Sequence, residues 1–91
     1  LQDQLNVQDE QLKFNLKNAM ENYSLQKENI DVATRVLKSY QRKYELGAVS
    51  SLDLTQANNN YLQAETNYTE AVLTLLQAQV SLEKLYNQLP R

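Results

Sequence analysis

The acidic side chains are the first residues of this chain that could carry out chemistry, because positioned carboxylates serve as general acids and bases. Asp9 and Glu10 are adjacent, whereas Glu65 and Glu70 stand singly among asparagine, glutamine and threonine residues. Nothing in these surroundings would desolvate a carboxylate or place a base beside a nucleophile. We therefore interpret the acidic residues as parts of a solvated surface, and we expect the protein not to be an enzyme.

The composition also argues against several kinds of ligand. The 91 residues include no cysteine and no histidine, so we expect no metal site, no cofactor and no imidazole-based catalysis. The net charge of -2 argues against nucleic acid as a partner, since binding to phosphates favours a basic surface. No apolar run approaches the ~20 residues that span a bilayer, so we expect no membrane contact by this segment.

Two further groups of side chains have a plain structural explanation. Basic residues cluster before the middle of the chain, at Arg35, Lys38, Arg42 and Lys43. Compensation of a helix dipole, with pairing to acids such as Asp31 and Glu45, explains this cluster better than a ligand site does. Tyrosines recur at positions 23, 40, 44, 61, 68 and 86. We interpret them as packing residues rather than as a platform for stacking bases.

The elements that hold these residues are indicated by two heptad patterns. In each pattern, residues that are mostly apolar recur at alternating intervals of three and four positions, which is the period of a coiled-coil seam. The residue types are Leu, Ala, Tyr, Ile and Gln. The first pattern occupies positions 12, 16, 19, 23, 26, 30, 33, 37, 40 and 44. The second occupies positions 54, 57, 61, 64, 68, 71, 75, 78, 82, 85 and 89, and alanine recurs in it every seven residues from Ala57 to Ala78. Such small residues let two helices approach closely.

The two patterns mirror each other about the middle of the chain. If the chain folds there, facing positions keep a constant sum of residue numbers, as in Tyr23 with Leu75 or Tyr44 with Leu54. The sequence therefore predicts an all-α fold, a long antiparallel two-helix coiled-coil hairpin over residues 1–91. We expect helix 1 at about 2–46, a tip turn at 47–50 and helix 2 at about 51–89. We interpret this hairpin as a fragment of a larger protein, because it has little interior of its own.

Local signals agree with this turn. The single glycine, Gly47, suits the left-handed conformation that commonly follows a helix. Ser50 and Asp53 have the spacing of a capping box, in which each side chain bonds the other residue's amide. The single proline, Pro90, is expected to stop helix 2.

A second set of apolar residues lies away from the seam. Leu25, Val32, Val36 and Leu46 belong to it in the first helix, and Leu62, Leu73, Leu76 and Val80 in the second. Apolar side chains on two sides of a helix indicate neighbours on both sides. A wall of helices in a larger assembly and self-association of the hairpin both explain the pattern.

The segment from Tyr44 to Ala57 reads YELGAVSSLDLTQA and contains the string Y-x-x-G-x-x-S-x-x-D-x-x-x-A. This string resembles the periplasmic turn of the TolC family of outer membrane factors. The alanine, leucine and tyrosine spacing of both flanking helices is similar to the same family, so the resemblance covers nearly the whole chain. The sequence departs from the family after Lys84, where Leu85-Tyr86-Asn87 replaces the usual glycine.

The resemblance implies a trimeric conduit anchored in the outer membrane, with a long α-helical barrel in the periplasm. It implies that hairpin tips dock onto a periplasmic adaptor protein of an efflux pump or a type I secretion system, and through it reach an inner-membrane pump. By position, the residues that face the adaptor would be Tyr44, Gly47, Ala48, Val49 and Ser50. By the same resemblance Asp53 would lie at an entrance constriction, although from the residues alone capping of helix 2 is the better explanation of this carboxylate.

Two other interpretations of the hairpin stay open. A periplasmic adaptor protein also contains a long antiparallel hairpin, which is flanked by short β-rich halves. A stand-alone coiled-coil interaction module would form a stable oligomer without any dependence on the tip sequence.

Overall fold

The computed structural model describes residues 2–88, and the side chains of residues 6–87. Two antiparallel helices, α1 (Gln2–Glu45, 44 residues) and α2 (Ser51–Gln88, 38 residues), pack against each other. The molecule measures 67 × 15 × 15 Å, and its long dimension equals the rise of α1 at about 1.5 Å per residue. The predicted all-α hairpin is confirmed. Leu89 and Pro90, which the sequence assigns to the end of α2, lie outside the described residues.

The seam between the helices follows the predicted heptads. All of the predicted seam positions from 12 to 40 and from 54 to 85 are buried or half-buried, and only Tyr44 is exposed. The most deeply buried side chains are small: Ala19, Ala57 and Ala71, of which Ala71 is only 2% exposed. Alanine at these levels lets the helices approach closely. The larger seam residues stay half-covered because only two helices surround them.

One aromatic pair crosses the seam. The rings of Tyr23 and Tyr68 lie 5.7 Å apart between centroids at an angle of 38°, and their hydroxyl oxygens are 3.5 Å apart. The hydrogen bond between the hydroxyls, together with partial desolvation, raises the pKa of Tyr68 above its ordinary value. The constant-sum rule pairs Tyr23 with Leu75, one heptad further along α2, and it misses this contact. A long aromatic side chain reaches diagonal neighbours as well as the one directly opposite.

The open end of the hairpin is joined by a small polar cluster. The Lys13 ammonium lies 2.9 Å from Asp9 Oδ2, one turn earlier in α1. Tyr86 approaches this pair from α2, and the Tyr86 hydroxyl and the Lys13 ammonium lower the pKa of Asp9. The same two partners raise the pKa of Lys13. The cluster shows that Lys13 and Tyr86 lie on the same side of the hairpin.

Most of the hairpin surface is in contact with solvent. The chain exposes 7167 Å², whereas a compact monomer of this mass exposes about 5,400 Å². The eight apolar residues that the sequence places off the seam are all exposed (Leu25, Val32, Val36, Leu46, Leu62, Leu73, Leu76 and Val80). A two-helix hairpin has no second layer with which to cover them.

Candidate functional site at the hairpin tip

The end of α1 is closed by a Schellman motif. Gly47 adopts a φ of +76°, in the left-handed region where other residues are strained. The Gly47 amide donates to the Tyr44 carbonyl at 3.0 Å, and the Ala48 amide donates to the Lys43 carbonyl at 2.8 Å. These two bonds satisfy carbonyl groups that the helix itself leaves free. The predicted left-handed conformation of Gly47 is confirmed, and α1 ends at Glu45, one residue earlier than expected.

The start of α2 is fixed by the predicted capping box. The Asp53 amide donates to Ser50 Oγ at 3.2 Å, and the Ser50 amide donates to Asp53 Oδ2 at 3.3 Å. The Leu54 amide continues the helix by donating to the Ser50 carbonyl at 3.1 Å. Val49 and Leu54 are both half-buried and hold the positions of a hydrophobic staple. Both helix ends are therefore closed, and the few residues between them are held in one conformation.

The five residues predicted to face a partner are not equally accessible. Gly47, Ala48 and Ser50 are exposed, and Tyr44 is 45% exposed because the seam ends before it. Val49 is half-buried by its place next to the seam. A Cβ atom added at Gly47 would meet nothing within 4 Å, so the space above the turn is open.

Two leucines complete this surface. Leu46 and Leu52 are 77% and 74% exposed, the highest values among the large apolar side chains of the described part of the chain. Leu46 directly precedes Gly47, and Leu52 lies in the first turn of α2. The sequence interpretation placed Leu46 in a side stripe and did not single out Leu52. The sequence does contain a signal for these two leucines: both lie close to Gly47, and no seam position falls between them. We call Leu46, Gly47, Ala48, Ser50 and Leu52 the tip surface.

The charges near the tip are not paired with one another. Across the described residues the structure contains one salt bridge, Asp9 with Lys13, so the predicted pairing of the basic cluster with Asp31 and Glu45 is wrong. The side chains of the basic cluster and of these two acids are exposed, and fixing two long charged side chains together in water yields little energy. Lys43 Nζ instead lies 5.7 Å from the centroid of the Tyr40 ring. Arg42 and Lys43 occupy the last turn of α1, where they complement the helix dipole as expected.

The part of the chain that the structure describes holds neither a group of metal ligands nor a membrane-spanning helix. No group of three or more acidic side chains there is arranged to hold a metal ion. Neither helix is apolar over a stretch long enough to cross a bilayer. The feature that stands out is the closed tip with exposed apolar residues on a long two-helix shaft.

The described chain is a long antiparallel hairpin with a glycine-serine tip and exposed apolar side chains along its shaft. The family model of the outer membrane efflux proteins matches residues 2–88. The chain belongs to this family, which points to a channel of the outer membrane, and the suspected resemblance is confirmed. Neither the comparison with curated proteins nor that with solved structures gives a match.

Proposed function

We propose that this hairpin is a periplasmic wall segment of an outer membrane channel that serves efflux or type I secretion. In this proposal three copies of the complete protein form the duct, and the tips dock onto a periplasmic adaptor protein that connects them to an inner-membrane pump. The protein acts as a structural and transport component and not as an enzyme. Membership of the family favours this function over the adaptor hairpin and over the stand-alone coiled coil.

The exposed apolar residues of the shaft support a place in a wall of helices. On α2, Leu73 and Val80 lie seven residues apart on the side away from the seam, and both are exposed. Exposed apolar side chains spaced along a whole helix gain free energy when a neighbouring helix covers them, at roughly 25 cal/mol per Å². The surface area of the chain, larger than that of a compact monomer, points in the same direction.

The geometry of the tip carries the proposed docking. Leu46 and Leu52 present apolar side chains on both sides of Gly47, and the open space above Gly47 lets another backbone approach closely. The caps on both helices keep this surface rigid, so little conformational entropy is lost when a partner binds. A second helical tip with an apolar centre is the partner that fits these features.

Docking is tested with Gly47→Glu in the complete channel. The new carboxylate occupies open space but places a charge between the two leucines, so adaptor binding and efflux should be lost while the helix content remains. Gln79→Glu adds the same charge on the exposed shaft of α2 and should keep both activities. Pull-down of the adaptor and an efflux assay in cells measure the two effects. Normal assembly and efflux with Gly47→Glu would show that the channel does not dock through this turn.

Asp53 offers a second function at the tip, as part of an entrance constriction. Its carboxylate is exposed and negative, and it also caps α2 through the Ser50 amide. Asp53→Asn removes the charge and keeps an acceptor for the cap, whereas Ser50→Ala weakens the cap and keeps the charge. We expect Asp53→Asn to raise the resting conductance of the channel in a planar bilayer and Ser50→Ala to leave it unchanged. Unchanged conductance in Asp53→Asn leaves capping as the role of Asp53.

A further inference from the structure

The two long flanks of the hairpin, on either side of the seam, differ in chemistry. One flank, which we call the amide flank, is built from side chains that recur every seven residues along each helix. They are Asn15, Asn22 and Asn29 on α1, and Asn60, Asn67, Thr74 and Ser81 on α2. A spacing of seven residues returns each side chain to the same side of a helix. Six of these seven side chains are exposed, and Asn67 is half-buried.

A groove brings the two rows together toward the open end. Its volume is about 440 Å³, and Asn15 and Asn22 of α1 face Thr74 and Ser81 of α2 across it. The remaining lining residues are Leu12, Asn18, Ala19, Gln77 and Ala78. No charged side chain lines this groove. Carbon atoms contribute most of its surface, and the amide and hydroxyl groups supply the hydrogen-bonding atoms.

The same flank continues to the tip. A second groove of about 220 Å³ is lined by Gln56, Asn60 and Asp53 of α2 together with Val36 and Tyr40 of α1. Asp53 lies seven residues before Asn60 and so belongs to the same row. On α1 the row of Asn15, Asn22 and Asn29 continues through Val36 to Lys43. The flank therefore offers neutral hydrogen-bonding groups along most of the shaft, and near its tip end it carries one carboxylate, Asp53, and one ammonium group, Lys43.

The opposite flank carries charge, and we call it the charged flank. Its row on α1 includes Lys13 and Lys27, and its row on α2 includes Glu65 and Tyr86. Because the two helices are antiparallel, these rows lie beside each other on the side of the seam opposite the amide flank. Further from the seam, the charged flank carries more charged residues than the amide flank does: Glu10, Lys17, Asp31, Lys38 and Glu83 lie here, whereas the outer row of the amide flank holds Glu70 and Lys84.

We propose that the amide flank lines the water-filled interior of the duct and that the charged flank faces the outside of the wall. Amide and hydroxyl groups donate and accept hydrogen bonds without carrying charge, so they hold water while binding no ion strongly. Fixed charges along a confined water column would concentrate counter-ions and retain solutes of opposite charge. On the outer surface the same charges are screened by bulk salt.

This inference rests on the proposed function as a duct wall, and cysteine substitution tests it, because each introduced cysteine is the only one in this segment and other cysteines of the complete channel are first replaced by serine. Two pairs of matched positions differ only in flank. Asn60 and Gln77 lie on the amide flank, and Asn58 and Gln79 lie two residues away on the charged flank, all four being exposed. Each is changed to cysteine in the complete channel, which is then reconstituted in a planar bilayer. A bulky cationic methanethiosulfonate reagent is added, and mass spectrometry verifies that each cysteine is modified.

We expect modification of Asn60→Cys and Gln77→Cys to reduce single-channel conductance in steps, and modification of Asn58→Cys and Gln79→Cys to leave it unchanged. The reverse result would assign the interior to the charged flank and overturn this inference while the duct remains. A loss of conductance at all four positions would also overturn the assignment of flanks. If modification at none of the four alters conductance, the hairpin does not line a duct, and the proposed function fails with it.

Discussion

Replacement of Gly47 by alanine tests how much of the hairpin's stability depends on the left-handed residue of the turn. At a φ of +76° a side chain costs roughly 1–2 kcal/mol in backbone strain. No neighbouring atom lies within 4 Å of the new Cβ, so steric contact adds nothing. Alanine also reduces the freedom of the unfolded chain, which offsets about 0.4–1 kcal/mol. We therefore expect Gly47→Ala to lower the free energy of unfolding by about 1 kcal/mol.

Urea unfolding of the 91-residue chain, followed by circular dichroism at the helix band, measures this change at fixed protein concentration. Gly47→Asn is the matched control, because asparagine tolerates the left-handed region better than alanine does. We expect Asn to destabilise the hairpin less than Ala does, with the same dependence of the unfolding free energy on urea. Equal slopes would show that both variants unfold from the same native structure.

Two results would refute this reasoning. If Gly47→Ala is as stable as the original chain, the turn does not depend on a left-handed residue. If Gly47→Ala lowers the free energy of unfolding by more than about 3 kcal/mol, the loss exceeds what backbone strain supplies. The new methyl group would then have to meet neighbouring atoms, which contradicts the open space at Gly47. If the free energy of unfolding decreases in small steps from Gly to Asn to Ala at position 47, the effect comes from the left-handed backbone conformation.

Two further predictions concern the seam. The pKa of Tyr68 is raised in the folded chain, so its stabilising contribution is complete below the ordinary value of about 10 and is lost as the pH rises through the raised value. Urea unfolding from pH 8 upward should show this loss, and Tyr68→Phe should show a smaller one; equal losses in both would contradict the pairing with Tyr23. Ala71 is 2% exposed, so Ala71→Leu should force the helices apart and lower the free energy of unfolding by about 1–3 kcal/mol. The same change at half-buried Ala64 should cost less, and a stabilised Ala71→Leu in the same unfolding assay would mean that the helices separate freely.

Much of the fold could be predicted from the sequence because its determinants are local or periodic. The heptads define which side of each helix is covered, and a period of seven is visible without any structure. Gly47 and the pair of Ser50 with Asp53 define where one helix ends and the other begins, since caps depend on residues three or four positions apart. These signals agreed with one another, and the hairpin followed from them.

Side-chain contacts between the helices could not be predicted in the same way. The pairing of Tyr23 with Tyr68 depends on rotamers and on the space that neighbouring alanines leave, neither of which a constant sum of residue numbers contains. The exposure of Tyr44 depends on where the seam ends relative to the turn. Whether the basic cluster forms salt bridges depends on the balance between side-chain entropy and solvation, and the spacing of residues in the sequence does not contain this balance.

The sequence by itself determined that this chain is an antiparallel hairpin, because periodicity and capping are properties of the chain read in order. The tertiary structure decided which surfaces remain free for partners. Only the folded hairpin places Leu46 and Leu52 on both sides of an open turn, and only its grooves bring the amide rows of the two helices onto one flank. The physical reason is that a surface is formed by residues from both helices, and their juxtaposition is set by packing across the seam.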